Sequence, residues 1–366
     1  MTASLSCLAE QNAQSGRTRR TSEPMTGHPL PVTRASSPLT LGAERKLQIA
    51  LGLIWLADGA LQLQPFMFGR SFVTQIIAPN EINQPGYVAG PIKLIAHLVE
   101  PRVALFNLFA VTIQVLIGVG LIYRRTVKAA LLASFGWALG VWWIGEGLGG
   151  LLTGSASPLT GAPGAALLYV FAGLIAWPRA RSRSGRAAGG GILGERGART
   201  AWALLWLGSA ALWLLPANRA DAAVHDAIAN APSGARWLSS IHSTVAAVTA
   251  GHGIAIAVGA AGLSAAVGLA VLFARCAKPA LALSAVIALV YFVIGQGMGG
   301  VLTGSGTDPG TGPLMILLAI SIYPIHRSGR PLSWRLRRAL ERSQSPGRLS
   351  FLHRPSRQRV SWSDSG

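Results

Sequence analysis

The chain repeats itself at a spacing of 150 residues, and this limits its fold more than any other feature. Residues 144–155 read IGEGLGGLLTGS and residues 294–305 read IGQGMGGVLTGS, with nine of twelve positions identical. The register predicts an ungapped match as far as Pro163 and Pro313. Self-similarity over such a distance indicates duplication of a whole structural unit. Two further stretches fit it. Residues 53–65, LIWLADGALQLQP, pair with residues 204–216, LLWLGSAALWLLP, and Tyr123, Arg125 and Lys128 pair with Phe273, Arg275 and Lys278. His97, in IKLIAHLV, is matched to His242, in WLSSIHSTV, which needs an offset of 145 and five extra residues in the second half.

The unit that is duplicated reads as a bundle of membrane-spanning helices. Only 12% of the chain is charged, against roughly 25% in soluble domains. Of 32 basic residues, 27 fall in five places: six up to Lys46, three in 124–128, six in 179–199, two in 275–278 and ten after Pro324. Those segments hold six acidic residues, and the remaining sequence has five basic against seven acidic. Apolar stretches separate the basic ones, the pattern of loops that alternately face the cytoplasm. A nucleic-acid-binding protein would gather the charge on one soluble face, so nucleic acid is excluded as a partner.

Eight spans are expected, near 47–64, 103–123, 129–145, 163–177, 201–215, 254–273, 279–295 and 312–323. The fold class is therefore an all-α integral membrane protein, with eight transmembrane helices as two parallel four-helix repeats. Four spans return each unit to the side where it began, so the repeats are parallel and not inverted. The expected divisions are an N-terminal tail (1–44), repeat 1 (45–178), a basic linker (179–200), repeat 2 (201–324) and a basic C-terminal tail (325–366). Both termini are expected in the cytoplasm, with the chain in the cell membrane. The partner is the lipid bilayer, and the basic tails and linker attract anionic lipid at about 1 kcal/mol per residue near the surface. Cys7 and Cys276 stand alone in cytoplasmic segments and suggest neither a disulfide nor a metal site.

Backbone constraint is concentrated in the glycine segment. Gly145, Gly147, Gly149 and Gly150, and their counterparts Gly295, Gly297, Gly299 and Gly300, remove side chains over more than one turn. Such residues let helices approach closely in lipid and let a helix break. Thr153 and Thr303 follow, each within Thr-Gly-Ser. A re-entrant or packing turn on the external side is expected there.

Ionisable residues inside a span are functional candidates. Asp58 lies in the first span and its counterpart is Ser209; Glu146 lies in the glycine motif and its counterpart is Gln296. The first half thus holds carboxylates where the second holds neutral hydrogen-bonding groups. Asp58, Glu146, Gln296, Ser209, His97 and His242 form the candidate polar cavity. A bis-histidine haem site would need two facing imidazoles at matched depth. His97 and His242 fall near span ends and only His252 lies inside one, so a haem is not expected. Trp142, Trp143, Trp202, Trp206 and Trp213 are expected as interfacial anchors.

Residues 45–65, RKLQIALGLIWLADGALQLQP, resemble the opening helix of the DoxX-like family of small four-helix membrane proteins. Residues 114–134, QVLIGVGLIYRRTVKAALLAS, are similar to that family's LxxGxG helix, basic turn and third apolar helix. The chain as a whole also resembles bacterial multi-pass membrane proteins that carry a GEGLGGLLTG segment. The DoxX-like resemblance implies a four-helix module and, in some members, membrane redox chemistry involving thiosulfate and quinone. Quinone is the one cofactor so implied, and no catalytic residue is carried over. No motif for catalysis or metal binding is present. The expected function is a non-enzymatic module that binds or passes a small solute between the repeats. The alternatives are a quinone-contacting redox subunit or a structural assembly protein.

Overall fold

The computed structural model of the chain describes residues 42–178 and 191–323. The N-terminal tail, the linker residues 179–190 and the C-terminal tail lie outside them. The described residues are mainly helical and contain no strand. In the first half α1 (Ala43–Leu61) leads through a short helix, α2 (Arg70–Phe72), to α3 (Gly86–Val99), α4 (Val103–Ile122), α5 (Val127–Ile144) and α6 (Ala165–Ala176). In the second half α7 (Gly194–Trp213) is followed by α8 (Ala223–Ala229), α9 (Arg236–Thr249), α10 (Gly253–Leu272), α11 (Ala277–Val290) and α12 (Thr311–Ile322). Helix α7 starts at Gly194, so the last residues of the stretch 179–200 are helical.

Four segments are long and apolar enough to cross a membrane: Gly86–Ile122, which contains α3 and α4, then Val127–Ile144, Gly253–Leu272 and Ala277–Gly295. Helices α6 and α12 are apolar but only twelve residues long. The outer faces of the long helices carry Leu105, Leu116, Leu132, Val258 and Val286, all exposed. A water-soluble chain would bury so continuous an apolar surface; lipid covers it at no cost.

The same pairings recur in both halves. Helix α1 packs on α4, α4 on α5 and α5 on α6; α7 packs on α10, α10 on α11 and α11 on α12. At the α1–α4 crossing, a Cβ on Gly52 would come 2.8 Å from the Gly118 carbonyl oxygen. At the α7–α10 crossing, a Cβ on Gly268 would come 3.0 Å from the Ala203 carbonyl oxygen. Small residues at the contact bring the backbones together, which is the main packing device where lipid supplies no hydrophobic drive. The halves meet where α12 touches α6 and α1 of the first half; α12 also touches α7 of its own half.

Two sequence correspondences shift. Helices α3 and α9 start 150 residues apart, at Gly86 and Arg236. His242 therefore takes the place of Ile92 and not of His97, and no five-residue insertion exists. Helices α6 and α12 start only 146 residues apart, so Pro163-Gly164 corresponds to Pro309-Gly310. Pro313 is a residue inside α12. The loop before α12 is four residues shorter than the loop before α6.

The tryptophans expected at the membrane interface are mostly core. Trp202 and Trp206 are 0% and 1% exposed and Trp213 is buried, all facing the helix contacts. Trp213 donates its indole N–H to Tyr291 Oη at 3.1 Å. Trp142 donates to the Pro163 carbonyl at 2.8 Å, and Trp143 alone of the five is exposed. They lie toward span ends in the sequence, but in the fold they fill the gaps between small-residue crossings.

Candidate functional site

The glycine segments are left-handed turns. Gly147, Leu148, Gly149 and Gly150 have φ of 51°, 55°, 64° and 69°, and Gly297, Met298, Gly299 and Gly300 have φ of 52°, 57°, 68° and 66°. A non-glycine residue in this region costs about 1–2 kcal/mol, so one such residue per turn is tolerated and three glycines carry the rest. Space is also absent. A Cβ on Gly149 would overlap the Pro163 carbonyl, and one on Gly299 would come 2.7 Å from the Pro309 carbonyl carbon. Gly145 and Gly295 precede the turns and end the preceding helical segments.

Each turn is locked by the same hydroxyl. Thr153 Oγ1 donates to the Gly150 carbonyl at 2.8 Å and accepts the Ser155 N–H at 3.2 Å. Thr303 Oγ1 repeats this with Gly300 at 2.7 Å and Ser305 at 3.1 Å. The identity of the two LTGS segments is thereby explained by backbone geometry.

Glu146 and Gln296 occupy equivalent positions and do equivalent work. Glu146 Oε1 accepts the Ala166 N–H at 3.0 Å, at the start of α6. Gln296 Oε1 accepts the Thr311 N–H at 3.1 Å and the Thr311 hydroxyl at 2.9 Å, at the start of α12. Both satisfy amide groups that a helix start leaves without partners. An amide oxygen and a carboxylate oxygen serve equally for this. Glu146 differs in its second oxygen, Oε2, which is buried without a hydrogen-bond partner.

The loops that follow the turns cross between halves. Ala156 gives its carbonyl to Asn218 Nδ2 at 2.8 Å, and Leu159 is buried in a second-half cluster with Trp213, Val224 and Ile228. In return, Gln64 Nε2 donates to the Gly306 carbonyl at 3.4 Å. Between the exchanged loops lies a cavity of about 840 Å³. Its walls include Glu146, Gly149, Gly150 and Thr153 from one half, and Gly295, Gln296, Gly299 and Asp308 from the other. It stands at the end of α5 remote from the Arg124–Arg125 turn, about 27 Å away for eighteen helical residues.

The sequence-derived candidates divide accordingly. Glu146, Gln296, Gly149, Gly150, Thr153, Gly295 and Gly299 line the cavity, whereas Asp58, Ser209, His97 and His242 do not. Asp58 is 2% exposed on α1, and its Oδ2 accepts a hydrogen bond from the Tyr169 hydroxyl of α6, while Oδ1 has no partner. Ser209 donates to the Leu205 carbonyl of its own helix at 3.0 Å. His97 is exposed on α3, away from the cavity, because its helical position faces outward. His242 is buried and bridges Ser233 Oγ at 2.7 Å and the Val293 carbonyl at 2.9 Å, a structural tie to the end of α11. His252 immediately precedes α10 and is exposed, so it lies at the end of that helix and not within it.

Sequence reasoning missed Asp308, Asp226 and Tyr169. Asp308 accepts the Gly310 N–H at 2.7 Å and the Thr307 hydroxyl at 3.0 Å. Asp226, on α8, lies on the cavity wall and is exposed. Glu146 and Asp308 lie in loops beyond the helix ends. Burial pushes the Glu146 carboxyl up to about 8, with a further rise from the neighbouring Asp308 and an opposing effect of the Ala166 and Ala165 N–H groups. Burial also raises the Asp308 carboxyl, opposed by Gly310 and Thr307. Among the described residues no group of three or more His, Cys, Asp or Glu is placed to hold a metal ion.

Comparisons with protein-family models, with curated proteins and with solved structures find no match.

Proposed function

We propose that the chain is an eight-span protein of the cell membrane, built from two parallel four-helix repeats. Both termini would be cytoplasmic, and the protein would bind a small polar solute in the cavity between the repeats at the non-cytoplasmic end. The observation that carries the reading is that both glycine turns, one from each half, wall a single cavity. Its volume falls within the roughly 300–1,000 Å³ of small-molecule sites. Recurrence of the same helix pairings in the two halves supports the duplication. Basic turns at Arg124–Arg125 and Arg275, at the ends remote from the cavity, support the orientation. The short helices α6 and α12 reach across the bilayer with the help of the turns and loops that precede them.

A DoxX-like module fits the four-helix pairing. A quinone-contacting subunit fits the site less well, because no aromatic side chain lines the cavity and its walls are rich in Ser, Thr, Asn, Gln and carboxylate.

The test is a thermal-stability screen of the purified full chain against neutral, cationic and anionic small solutes, with Thr160→Trp as control. Thr160 is exposed and lies on the cavity wall, so an indole there narrows the space without disturbing the core. A solute that raises the wild-type midpoint but leaves Thr160→Trp unchanged supports the reading. Stabilisation that survives Thr160→Trp, or none from any class, overturns it.

A further inference from the structure

The solute itself can be narrowed from the cavity walls; this step rests on the proposed solute site. Three carboxylates line the cavity, Glu146, Asp226 and Asp308, and no Lys, Arg or His does. This occurs in a chain of formal charge +19, so the local sign is opposite to that of the whole.

An acidic lining alone does not define a ligand, because two helix starts also face the cavity. Ala165 and Thr311 line it, and each helix start carries about half a positive charge. Those two half-charges offset about one of the three carboxylates, leaving about two negative charges when all are ionised. The amides that an anion would need are already taken, by Glu146 Oε1, Gln296 Oε1 and Asp308 Oδ1. An anion is therefore disfavoured by geometry, and by charge as well once the carboxyls are ionised.

The unfilled hydrogen bonds point the same way. Two buried wall atoms have no partner: Gln84 Oε1, an acceptor, and Glu146 Oε2, an acceptor once the carboxyl has lost its proton. A ligand that completes this wall must bring donors. An ammonium group brings three donors and no acceptor. Quaternary ammonium is held by aromatic faces, and none lines this cavity. The hydroxyls of Thr153, Ser155, Ser157 and Thr160 suit a polar remainder of the molecule.

We propose that the cavity binds a small protonated primary or secondary amine, with its ammonium group against Glu146 and its polar body among the loop hydroxyls. The groups within electrostatic reach of Glu146 are Asp308 on the loop before α12 and Tyr169, itself bonded to Asp58; Asp226 on α8 shares the cavity wall. All of these are acidic or neutral. Since burial holds the Glu146 carboxyl near 8, amine binding must expel a proton there, and affinity rises as the pH is raised from 6.5 to 9.

The test uses the full chain with Cys7→Ser and Cys276→Ser, and a cysteine placed in the cavity by Ser157→Cys. Three methanethiosulfonates of similar size react with it: 2-aminoethyl (cationic), 2-hydroxyethyl (neutral) and 2-sulfonatoethyl (anionic). Each rate is divided by the rate with 2-mercaptoethanol. The cationic reagent should exceed the anionic one by about tenfold at pH 8.5, equivalent to ~1.4 kcal/mol. Glu146→Gln should cut the ratio to about threefold or less, and Asp226→Asn should lower it independently. Putrescine should protect the cysteine while glycerol does not. If the neutral reagent reacts but the cationic preference is absent, or putrescine gives no protection, the amine assignment is lost and the solute cavity stands. If none of the three reagents reacts, the cavity reading itself falls.

Discussion

Glu146→Gln separates the two things Glu146 does. The Gln side chain keeps an oxygen for the Ala166 N–H, as Gln296 does for Thr311, so the start of α6 stays capped. What it removes is the titration. The Glu146 carboxyl is raised from 4.5 to about 8 by burial first and by Asp308 second. The folded chain therefore holds this proton more tightly than the unfolded chain does. Stability from the site is complete below the unfolded value and is lost as pH rises through about 8. From pH 7 to pH 9 the loss is about 1.4 kcal/mol, one decade of proton binding. At roughly 2–4 °C per kcal/mol for a chain of this size, the wild-type midpoint in detergent should fall by about 3–6 °C over that window. Asp308 shifts in the same direction, so the comparison must be between variants and not with pH alone. Glu146→Gln should lose the greater part of the slope and be the more stable protein at pH 9. A wild type that is flat from pH 7 to 9, or a variant that falls as steeply, would refute the argument that this carboxyl is protonated in the fold.

Three other outcomes are expected. Gly149→Ala, with φ of 64° and a Cβ overlapping the Pro163 carbonyl, should cost about 2–5 kcal/mol in denaturant titration, while Gly136→Ala, with nothing within 4 Å, should stay within about 1 kcal/mol; equal effects would show that the turn relaxes. Tyr169→Phe leaves Asp58 with no donor and should cost about 1–3 kcal/mol. Combining Tyr169→Met with Asp58→Ser, the pair found in the second half as Met315 and Ser209, should cost less than the sum of the single changes, and strict additivity would deny the coupling. In the Cys7→Ser/Cys276→Ser background, a cysteine at exposed Ser155 should react with an impermeant maleimide in intact cells and one at Arg125 only after lysis; the reverse pattern would invert the orientation.

Eight of the helices were legible because their signals are local, while α2, α3, α8 and α9 lie where no span was expected. Apolar runs bounded by basic turns predict segments close to α1, α4, α5, α6, α7, α10, α11 and α12, and a glycine cluster marks a break wherever it occurs. The cavity was not legible, because it depends on how two loops of unequal length cross. An offset of 150 carried past the turn aligns Pro163 with Pro313, and under that alignment Tyr169 has no evident relation to Met315. The Pro-Gly dipeptides at 163–164 and 309–310 were the available signal: each precedes a helix start, and aligning them exposes the four-residue difference. Asp308 was invisible for the same reason, since the longer first-half loop has no equivalent of it: its nominal partner at an offset of 150 is Pro158. The tryptophans misled because closeness to a span end along the sequence says nothing about which side of the helix faces lipid. His97 was matched to His242 by residue type, while the helix registers pair His242 with Ile92; two buried positions were kept and only one was made polar.

The asymmetry between the halves follows from that loop geometry. Asp58 pairs with Tyr169 in the first half, and the corresponding positions in the second are Ser209 and Met315, so the carboxylate and its donor are both present or both absent. Glu146 has a neutral equivalent in Gln296 because capping a helix start needs only an oxygen. The second half still contributes charge to the cavity, but through Asp308 in the shortened loop and Asp226 on α8, and Asp308 lies within electrostatic reach of both Tyr169 and Glu146. A lone first half would thus keep Glu146 without Asp308, and a lone second half would keep Asp308 without Glu146. The acidic cavity exists only where the two loops are exchanged, which gives a physical reason for both halves to remain in one chain.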